Sequence, residues 1–542
     1  MSKRHSLTGP SIRLVLVAGI GAFASWACSA MLDFPQCREH EDCVNHRSRP
    51  LICVEERCVE PPDPSDVACE STNECVDGLG DGHVCNPSGR CAALESDLCA
   101  VVRAPTDVSP NDVVWIGSIL ATSPPYDALV MPLQNAVQLA VEDFNASTTL
   151  PDGRKIGWIG CDSRGNVEHA IQAARHLVNE VGVPAIVGPT FSESTLAVAT
   201  EVTVPGRVFL MTPTATHPSI TTLDDGGLVW RTITSDVHQA EALADRLVAM
   251  DPPARRVLVL GKDDAYGRGL SSEVVRLARE RVDGAAVATL IYEDPVTFTS
   301  NEALLGSYGA IIGTGYQHRA DTVVIAGTSE ARELVLFYLQ AWSNDPNPPA
   351  LPRFVVSHGG VPILESIVGL VAEGPFRPVL MANLEGTSPL ITDPENFAAY
   401  NIRYMIRFDD QEAITSSSLS YDATMVTLFA MVAASTEKKL DGVEIARAMP
   451  RLVDEAGTRV SFGEGLGFVR SARDVLAQGG SVDLRGVSGE LDFDLVTGDV
   501  RTDLVGWGVV PRSGDANAPL LTMLRMYLLD PPPASGGTWV DL

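Results

Sequence analysis

The stretch PAIVGPTFSESTLAVATEVTVPGRVFLMTP (184–213) places two short apolar runs, PAIVG and RVFLMTP, on either side of a segment that reads as a helix. Runs of this length bounded by Gly and Pro are strand-like. An uninterrupted apolar strand flanked by helices is buried on both faces, the environment of a parallel sheet. The same alternation extends outward. VVWIGSIL (113–120) is followed by a helix with Leu133, Ala136, Val137, Ala140 and Phe144 on one stripe. KIGWIGC (155–161) precedes a second, with Val167, Ala170, Ile171, Ala174, Leu177, Val178 and Val181 at helical spacing. After Asp236 the pattern restarts: a helix over 237–250, RRVLVLG, a helix over 269–281, AAVATLIY, DTVVIAG, a helix over 331–342 and RFVVSHG. Right-handed crossovers then predict an α/β fold of two doubly wound parallel-sheet lobes joined by a hinge, with ligands at the carboxyl ends of the strands.

Composition agrees with a folded chain of several domains. Of 542 residues, 45% are hydrophobic and 20% charged, and Asp plus Glu number 69 against 40 Lys and Arg, a formal charge of -29. Such a surface repels phosphate backbones, so nucleic acid is not an expected partner. Lys3, Arg4 and Arg13 lead into the uncharged 14–27 (LVLVAGIGAFASWA), which predicts an export signal over 1–27. It is short for a spanning helix, which needs about 20 apolar residues. Ser25-Trp26-Ala27-Cys28 resembles a bacterial lipobox, although Ser25 stands where leucine is usual. The resemblance implies acylation of Cys28 and attachment to a membrane by lipid; the alternative is cleavage beside Cys28 and a soluble product. Either way the protein is expected to be exported, to the periplasm or the cell surface.

Nine of the eleven cysteines fall between Cys37 and Cys99. Eight form two copies of one pattern, Cys37-x5-Cys43-x9-Cys53-x4-Cys58 and Cys69-x5-Cys75-x9-Cys85-x5-Cys91. Neither copy (37–58, 69–91) has the aliphatic content for a core, so residues 28–100 are expected to form a disulfide-stapled stalk. Four cysteines allow three pairings, and spacing does not choose among them. A zinc site would need a closer ligand pair than either copy has. With Cys28 acylated and each copy paired internally, Cys99 and Cys161 remain and are expected to bond to each other. The acidic DGLGDG (77–82) departs from EF-hand spacing and reads as a turn rather than a calcium loop.

Four ordered motifs carry a family resemblance: NEVGVPAIVGPTFSESTLAVATEV (179–202), VFLMTPTATHPSIT (208–221), VWRTITSDVHQAEALADRLV (229–248) and VLVLGKDDAYGRGL (257–270). With SYDATMVTLFAMVAA (420–434) and GVSGELDFDLVTGDVRTD (486–503), they resemble the type I periplasmic binding-protein fold over about 112–510. The nearest likeness is to the branched-chain amino-acid and amide binding proteins of ABC importers; metabotropic glutamate receptor ectodomains are more distant. The resemblance implies a first lobe of 112–235 plus about 380–487 and a second of 236–379 plus about 488–530.

Ser192-Glu193-Ser194-Thr195 opens a helix after an apolar strand, so a hydroxyl and free backbone N–H groups converge at the positive end of the helix dipole, where a carboxylate binds. An ordinary N-cap needs the same residues. The resemblance assigns Thr214, Ala215 and Thr216 to the grip on a ligand's carboxylate and amine, and Asp236 to its ammonium. Asp236 with Gln239 three residues on is also a capping-box arrangement. Tyr266 matches the aromatic that closes over the ligand from the second lobe, and Tyr126 is the candidate wall of the first. The family's second-lobe glutamate aligns with Gly359, beside His358, and its second-lobe tyrosine gives way to Thr328 and Ser329.

No G-x-S-x-G, H-E-x-x-H or G-x-x-x-x-G-K-[ST] occurs, so neither catalysis nor a cofactor is expected. The implied function is capture of a small amino-acid-like, carboxylate or amide ligand by hinge closure, delivered to an ABC permease. A surface receptor or protein-interaction lipoprotein without a transport role is the alternative, to which the cysteine-rich segment lends weight; a degenerate lobe pair that binds nothing is a third reading.

Overall fold

A computed structural model describes Cys37, Cys43, 52–54, 56–59 and 62–542, apart from 390–392, 436–439, 464 and 530–535. The export signal and Cys28 lie outside the described residues. The chain divides into two compact units, 1–61 and 62–542. In the first, strand Ile52–Val54 pairs antiparallel with Arg57–Val59, and Cys37–Cys53 and Cys43–Cys58 are disulfides. In the second, Cys69–Cys85 and Cys75–Cys91 repeat that first-to-third, second-to-fourth pairing. The sulfurs a zinc ion would need are thus bonded to one another. DGLGDG is the end of helix Thr72–Leu79 and the turn after it, with Gly80 at φ 94°.

The second copy does not stand apart as a spacer. Strand Val101–Arg103 extends the first lobe's sheet by antiparallel pairing with Lys155–Asp162. Cys99 is disulfide-bonded to Cys161 of that strand. Asn86 donates to the Glu180 carbonyl at 2.8 Å, and the buried His176 ring lies 3.1 Å from the Leu94 carbonyl. These contacts make the copy a collar built onto the first lobe.

That lobe's six-stranded sheet runs in the order Val229–Arg231, Phe209–Thr212, Ala185–Val187, Val113–Leu120, Lys155–Asp162, Val101–Arg103, parallel except for the last. The second lobe's eight-stranded sheet begins with Ala286–Tyr292, Arg256–Lys262, Thr322–Ala326, Arg353–Val356 and Leu384–Pro389 in parallel. Leu504–Arg512, Asp515–Leu529 and Gly537–Asp541 then add an antiparallel end. Strands such as Val113–Leu120 and Thr322–Ala326 are apolar and buried along nearly all their length, as burial between two helix layers requires. Helix Ser417–Ala434 is buried along its whole length and packs in the first-lobe core with Leu133, Ala136 and Phe144. No helix of the described residues is long and apolar enough to cross a membrane.

Two lobe boundaries differ from expectation. Leu384–Pro389 pairs with Arg353–Val356 and belongs to the second lobe, so the chain returns to the first lobe after 389 rather than near 380. Leu491, Phe493 and Val500 pack in the first-lobe core, so the last crossing falls at 500–504 rather than 488. Apolar pattern marks a strand without naming its partner, which is why these two segments read as belonging to the wrong lobe.

The 62-residue separation of Cys99 and Cys161 sets the value of their bond. Closing such a loop in the unfolded chain is worth about 4 kcal/mol on the chain-entropy estimate. A Cys99→Ser/Cys161→Ser variant is expected to lose stability of that order in urea unfolding, with amide exchange rising first in the collar.

Candidate functional site

The strands of both lobes end at one cleft. The loops that follow them enclose a cavity of about 170 Å³, lined from the first lobe by Tyr126, Leu129, Thr190, Phe191, Ser192, Thr214 and Thr216 among others. The second lobe contributes Lys262, Asp264, Tyr266, Thr328, Ser329, His358 and Gly359. Gly188 shapes the approach: at φ 113°, a Cβ there would meet the Ile119 carbonyl oxygen at 2.3 Å. No side chain larger than hydrogen permits the turn that delivers 189–192 to the cleft.

On the first-lobe wall, Ser192 is the first residue of helix Ser192–Val198, and its hydroxyl caps nothing in that helix. Its Oγ accepts from the backbone N–H groups of Thr216 and His217 at 3.2 and 3.3 Å, tying two binding loops together. The Thr216 hydroxyl donates to Asp236 Oδ2 at 2.8 Å, and Asp236 N–H donates to the Thr216 carbonyl at 2.9 Å. The buried guanidinium of Arg231 reaches the carbonyls of Ala215 and His217 and pairs with Asp499 at 2.6 Å. Thr214 donates to the Thr190 carbonyl at 2.6 Å. Tyr126 stands edge-on to Phe191 with centroids 4.9 Å apart.

On the second-lobe wall, Tyr266 donates to Ser357 Oγ at 2.6 Å and lies edge-on to His358 with centroids 5.0 Å apart. Burial pushes the His358 imidazole down to about 4, so it is neutral at physiological pH. Lys262 ends an apolar strand with its side chain 3% exposed, 2.7 Å from Asp264 and 3.6 Å from Asp294. Burial acts to lower its pKa, but the fields of Glu330, Asp264 and Asp294 outweigh it, and the ammonium is held above its ordinary value. Its Nζ lies 5.8 Å from the Phe191 ring centre, a cation–π contact between the lobes.

Of the residues expected from sequence, Tyr126, Ser192, Thr214, Thr216, Tyr266, Thr328 and Gly359 line one cavity. Two do not. Ala215 is fully buried and faces away, its carbonyl held by Arg231. Asp236 is fully buried behind Thr216, so a ligand is reached through the Thr216 hydroxyl rather than by the carboxylate. The capping box is also replaced: Ser235 caps helix Asp236–Ala249, and Gln239 lies 3.3 Å from the His358 ring. Lys262, Asp264 and Phe191 went unrecognised in sequence. A lysine at the carboxyl end of an otherwise apolar strand was the available signal for Lys262, since such a position opens onto the cleft.

Comparison with known proteins agrees with this architecture. A family model described as periplasmic binding protein matches residues 113–464. Among solved structures, a leucine-binding protein, LivK, from Thermotoga maritima aligns with TM-score 0.56 at 20% identity over 76% of this chain and 98% of its own. A solute-binding protein from R. palustris in complex with 4-hydroxybenzoate gives 0.56 at 16% identity over 77% and 97%. A type 1 periplasmic binding protein from Bordetella pertussis gives 0.57 at 16% identity over 76% and 100%. No curated protein matches the sequence.

Asp236 is the buried carboxyl on which the site's pH response turns. Burial first, against the Thr216 hydroxyl and the Arg231 charge, pushes it up to about 7. A carboxyl raised on folding makes the folded state bind more protons than the unfolded state between about pH 4 and 7, so its contribution to stability falls as pH rises through that window. Asp236→Asn keeps an acceptor for Thr216 and removes the titration. Ligand-free melting curves are expected to show this variant gaining on the wild type from pH 5 to pH 8.

Proposed function

The chain belongs to the periplasmic binding protein family, and on that premise we propose that it is an exported solute-binding protein whose two lobes close on a small amino-acid-like or carboxylate ligand. The observation that carries the reading is the single cavity to which both lobes supply the expected residues: Tyr126, Ser192, Thr214 and Thr216 from one side, Tyr266, Thr328 and Gly359 from the other. Contacts made to the ligand by the second lobe exist only when the lobes approach, and that difference in contact is what drives closure. The hydroxyls, the apolar Leu129, Val130 and Leu133, and the Tyr126 ring suit a ligand with one polar end and one apolar or aromatic end. Solved structures of this fold are in complex with isoleucine and with 4-hydroxybenzoate, two ligands that have such ends. We place the protein at a membrane through acylated Cys28, with an ABC permease as its partner.

One observation favours a second reading, a surface receptor without a transport role. The collar is bonded to the first lobe beside the loop that carries Tyr126: Asp162, next to the Cys99–Cys161 disulfide, accepts from Thr122 N–H at 2.9 Å. A receptor uses such a link to pass occupancy of the cleft to its exterior. Import predicts that cells lacking the protein lose uptake of the ligand; sensing predicts that uptake is unchanged.

A thermal-shift screen of the ligand-free protein against amino acids, amides, aliphatic carboxylates and hydroxybenzoates tests the proposal, because a ligand that binds only the folded state raises its melting temperature. One of these classes is expected to stabilise the protein by several degrees; silence across all of them sinks the reading. For the best ligand, Thr216→Ala is expected to weaken binding by about 1 to 3 kcal/mol, about ten- to a hundredfold by calorimetry.

A further inference from the structure

Two cavities meet at one partition in the cleft. The cavity of about 170 Å³ and a second of about 230 Å³ share Pro125, Tyr126, Lys262, Thr328 and Ser329. Beyond the partition the second is bounded by Asn301, Leu304 and Leu305 of helix Asn301–Tyr316, and by Glu330. Small-molecule sites commonly span about 300–1,000 Å³, so the first cavity alone is undersized and the pair together is not.

Polar groups are spaced along the two adjoining cavities. At the partition, the Lys262 ammonium has three N–H donors. Asp264 takes one at 2.7 Å, and Asp294 at 3.6 Å stands beyond hydrogen-bond distance. Donor capacity is left in a side chain 3% exposed, at a wall common to both cavities, and it suits an acceptor oxygen in the middle of a ligand. At the far wall, Glu330 is 5% exposed; its Oε1 accepts from Thr328 N–H and the Tyr292 hydroxyl, each at 2.8 Å, and its Oε2 accepts from the Thr328 hydroxyl, leaving further lone pairs for a ligand donor. Those donors are neutral, and Glu330 makes no ion pair among the described residues. The neighbouring Arg332 is bound to Glu333 at 2.6 Å. A buried carboxylate without a cation in contact favours an ammonium. At the first-lobe end the Ser192 hydroxyl, which accepts from two N–H groups and keeps its own proton, suits a carboxylate on the reading above, while the Thr214 and Thr216 hydroxyls, already donating within the lobe, shape the wall.

We propose that the ligand is longer than a single amino acid: a dipeptide-sized molecule with its carboxylate at the first-lobe loops, its central carbonyl on Lys262 and its terminal ammonium in the second cavity toward Glu330. This rests on the cleft being a ligand site.

Calorimetry with L-leucine, glycyl-L-leucine, N-acetyl-L-leucine and 4-hydroxybenzoate tests it on the exported chain. Glycyl-L-leucine is expected to bind at least tenfold tighter than L-leucine, and N-acetyl-L-leucine, which lacks the ammonium, to lose that gain. Leu305 is 40% exposed and lines only the second cavity, so Leu305→Trp fills that cavity without entering the core. It is expected to remove the dipeptide's advantage and leave L-leucine unchanged. Lys262→Gln is expected to weaken the dipeptide more than L-leucine, with a melting curve reporting its folding. L-Leucine or 4-hydroxybenzoate binding as tightly as the dipeptide, or a dipeptide indifferent to Leu305→Trp, overturns the two-cavity proposal alone. Failure of all four compounds to bind, with a hit elsewhere in the thermal-shift screen, overturns this inference and leaves the cleft as a ligand site; silence across the whole screen overturns both.

Discussion

The Arg231–Asp499 ion pair holds the binding loop and the hinge in one place. Arg231 is fully buried and ends the outermost strand of the first-lobe sheet, just where the chain leaves for the second lobe. Asp499 approaches from the returning crossing, and the two segments continue side by side, with Thr234 bonded to Thr502. A guanidinium buried this deeply is tolerable only with its donors used. Asp499, Thr221 and the carbonyls of Ala215 and His217 use them. The loop thereby has its carbonyls drawn to Arg231, its N–H groups at 216 and 217 drawn to Ser192, and the Thr216 hydroxyl drawn to Asp236. With that loop held by these bonds on three sides, the first-lobe half of the cleft is braced before any ligand arrives, and bracing of this kind lowers the entropy lost on binding.

The collar extends the same principle to the Tyr126 end of the first-lobe wall. Asp162 follows Cys161 in the chain, and its N–H donates to the Leu98 carbonyl, so the collar's end and this aspartate are joined twice. Its carboxylate accepts from the N–H groups of Thr122 and Ser123 and from the Ser123 hydroxyl. The Ser123 carbonyl accepts from Tyr126 N–H, and the Tyr126 ring packs over Gly165, where a Cβ would meet it at 2.3 Å. A covalent staple outside the lobe thus ends, through two hydrogen-bonded turns, at an aromatic wall of the cavity.

The strand and helix alternation was legible because burial on both sheet faces leaves an unbroken apolar run, as in Val113–Leu120 and Thr322–Ala326. The Cys99–Cys161 bond was legible by elimination; the pairing inside each copy was not, because it depends on how the chain folds back, in the second copy through helix Thr72–Leu79 and two short strands. Leu384–Pro389 (LEGTSP) lacks an apolar run altogether, its place in the second sheet being set by neighbours distant in sequence. The seven cavity-lining residues came from matching motifs at strand ends, where local order and spatial convergence coincide. Asp236 was misjudged because a motif specifies position along the chain, whereas the side chain's direction is decided by Thr216, twenty residues away. Lys262 escaped although the motif 257–270 contains it, because the resemblance assigns it no role and its partners Asp264, Asp294 and Glu330 come from three different loops.

Charge distribution across the cleft bears on what closing it costs. Glu193 on the first lobe is held above the usual carboxylate range by burial and then by Asp264 and Asp294 opposite, with Lys262 opposing. Asp294 is raised in the same sense by burial, against the Lys262 charge. Approach of the lobes therefore desolvates carboxylates and brings like charges together, and the single Lys262 ammonium over Phe191 offsets only part of that cost. Separation restores water to Glu193 and relieves the repulsion, so in the absence of ligand the electrostatics act to open the cleft. A ligand reverses this only by interacting more strongly with the closed arrangement than with the open one, and moving such an equilibrium from 1:99 to 99:1 takes about 5.5 kcal/mol of differential binding. A neutral apolar ligand draws that energy from buried area alone. One that also brings positive charge to the second-lobe side removes the repulsion that held the lobes apart, so the same group that is recognised also releases the closure.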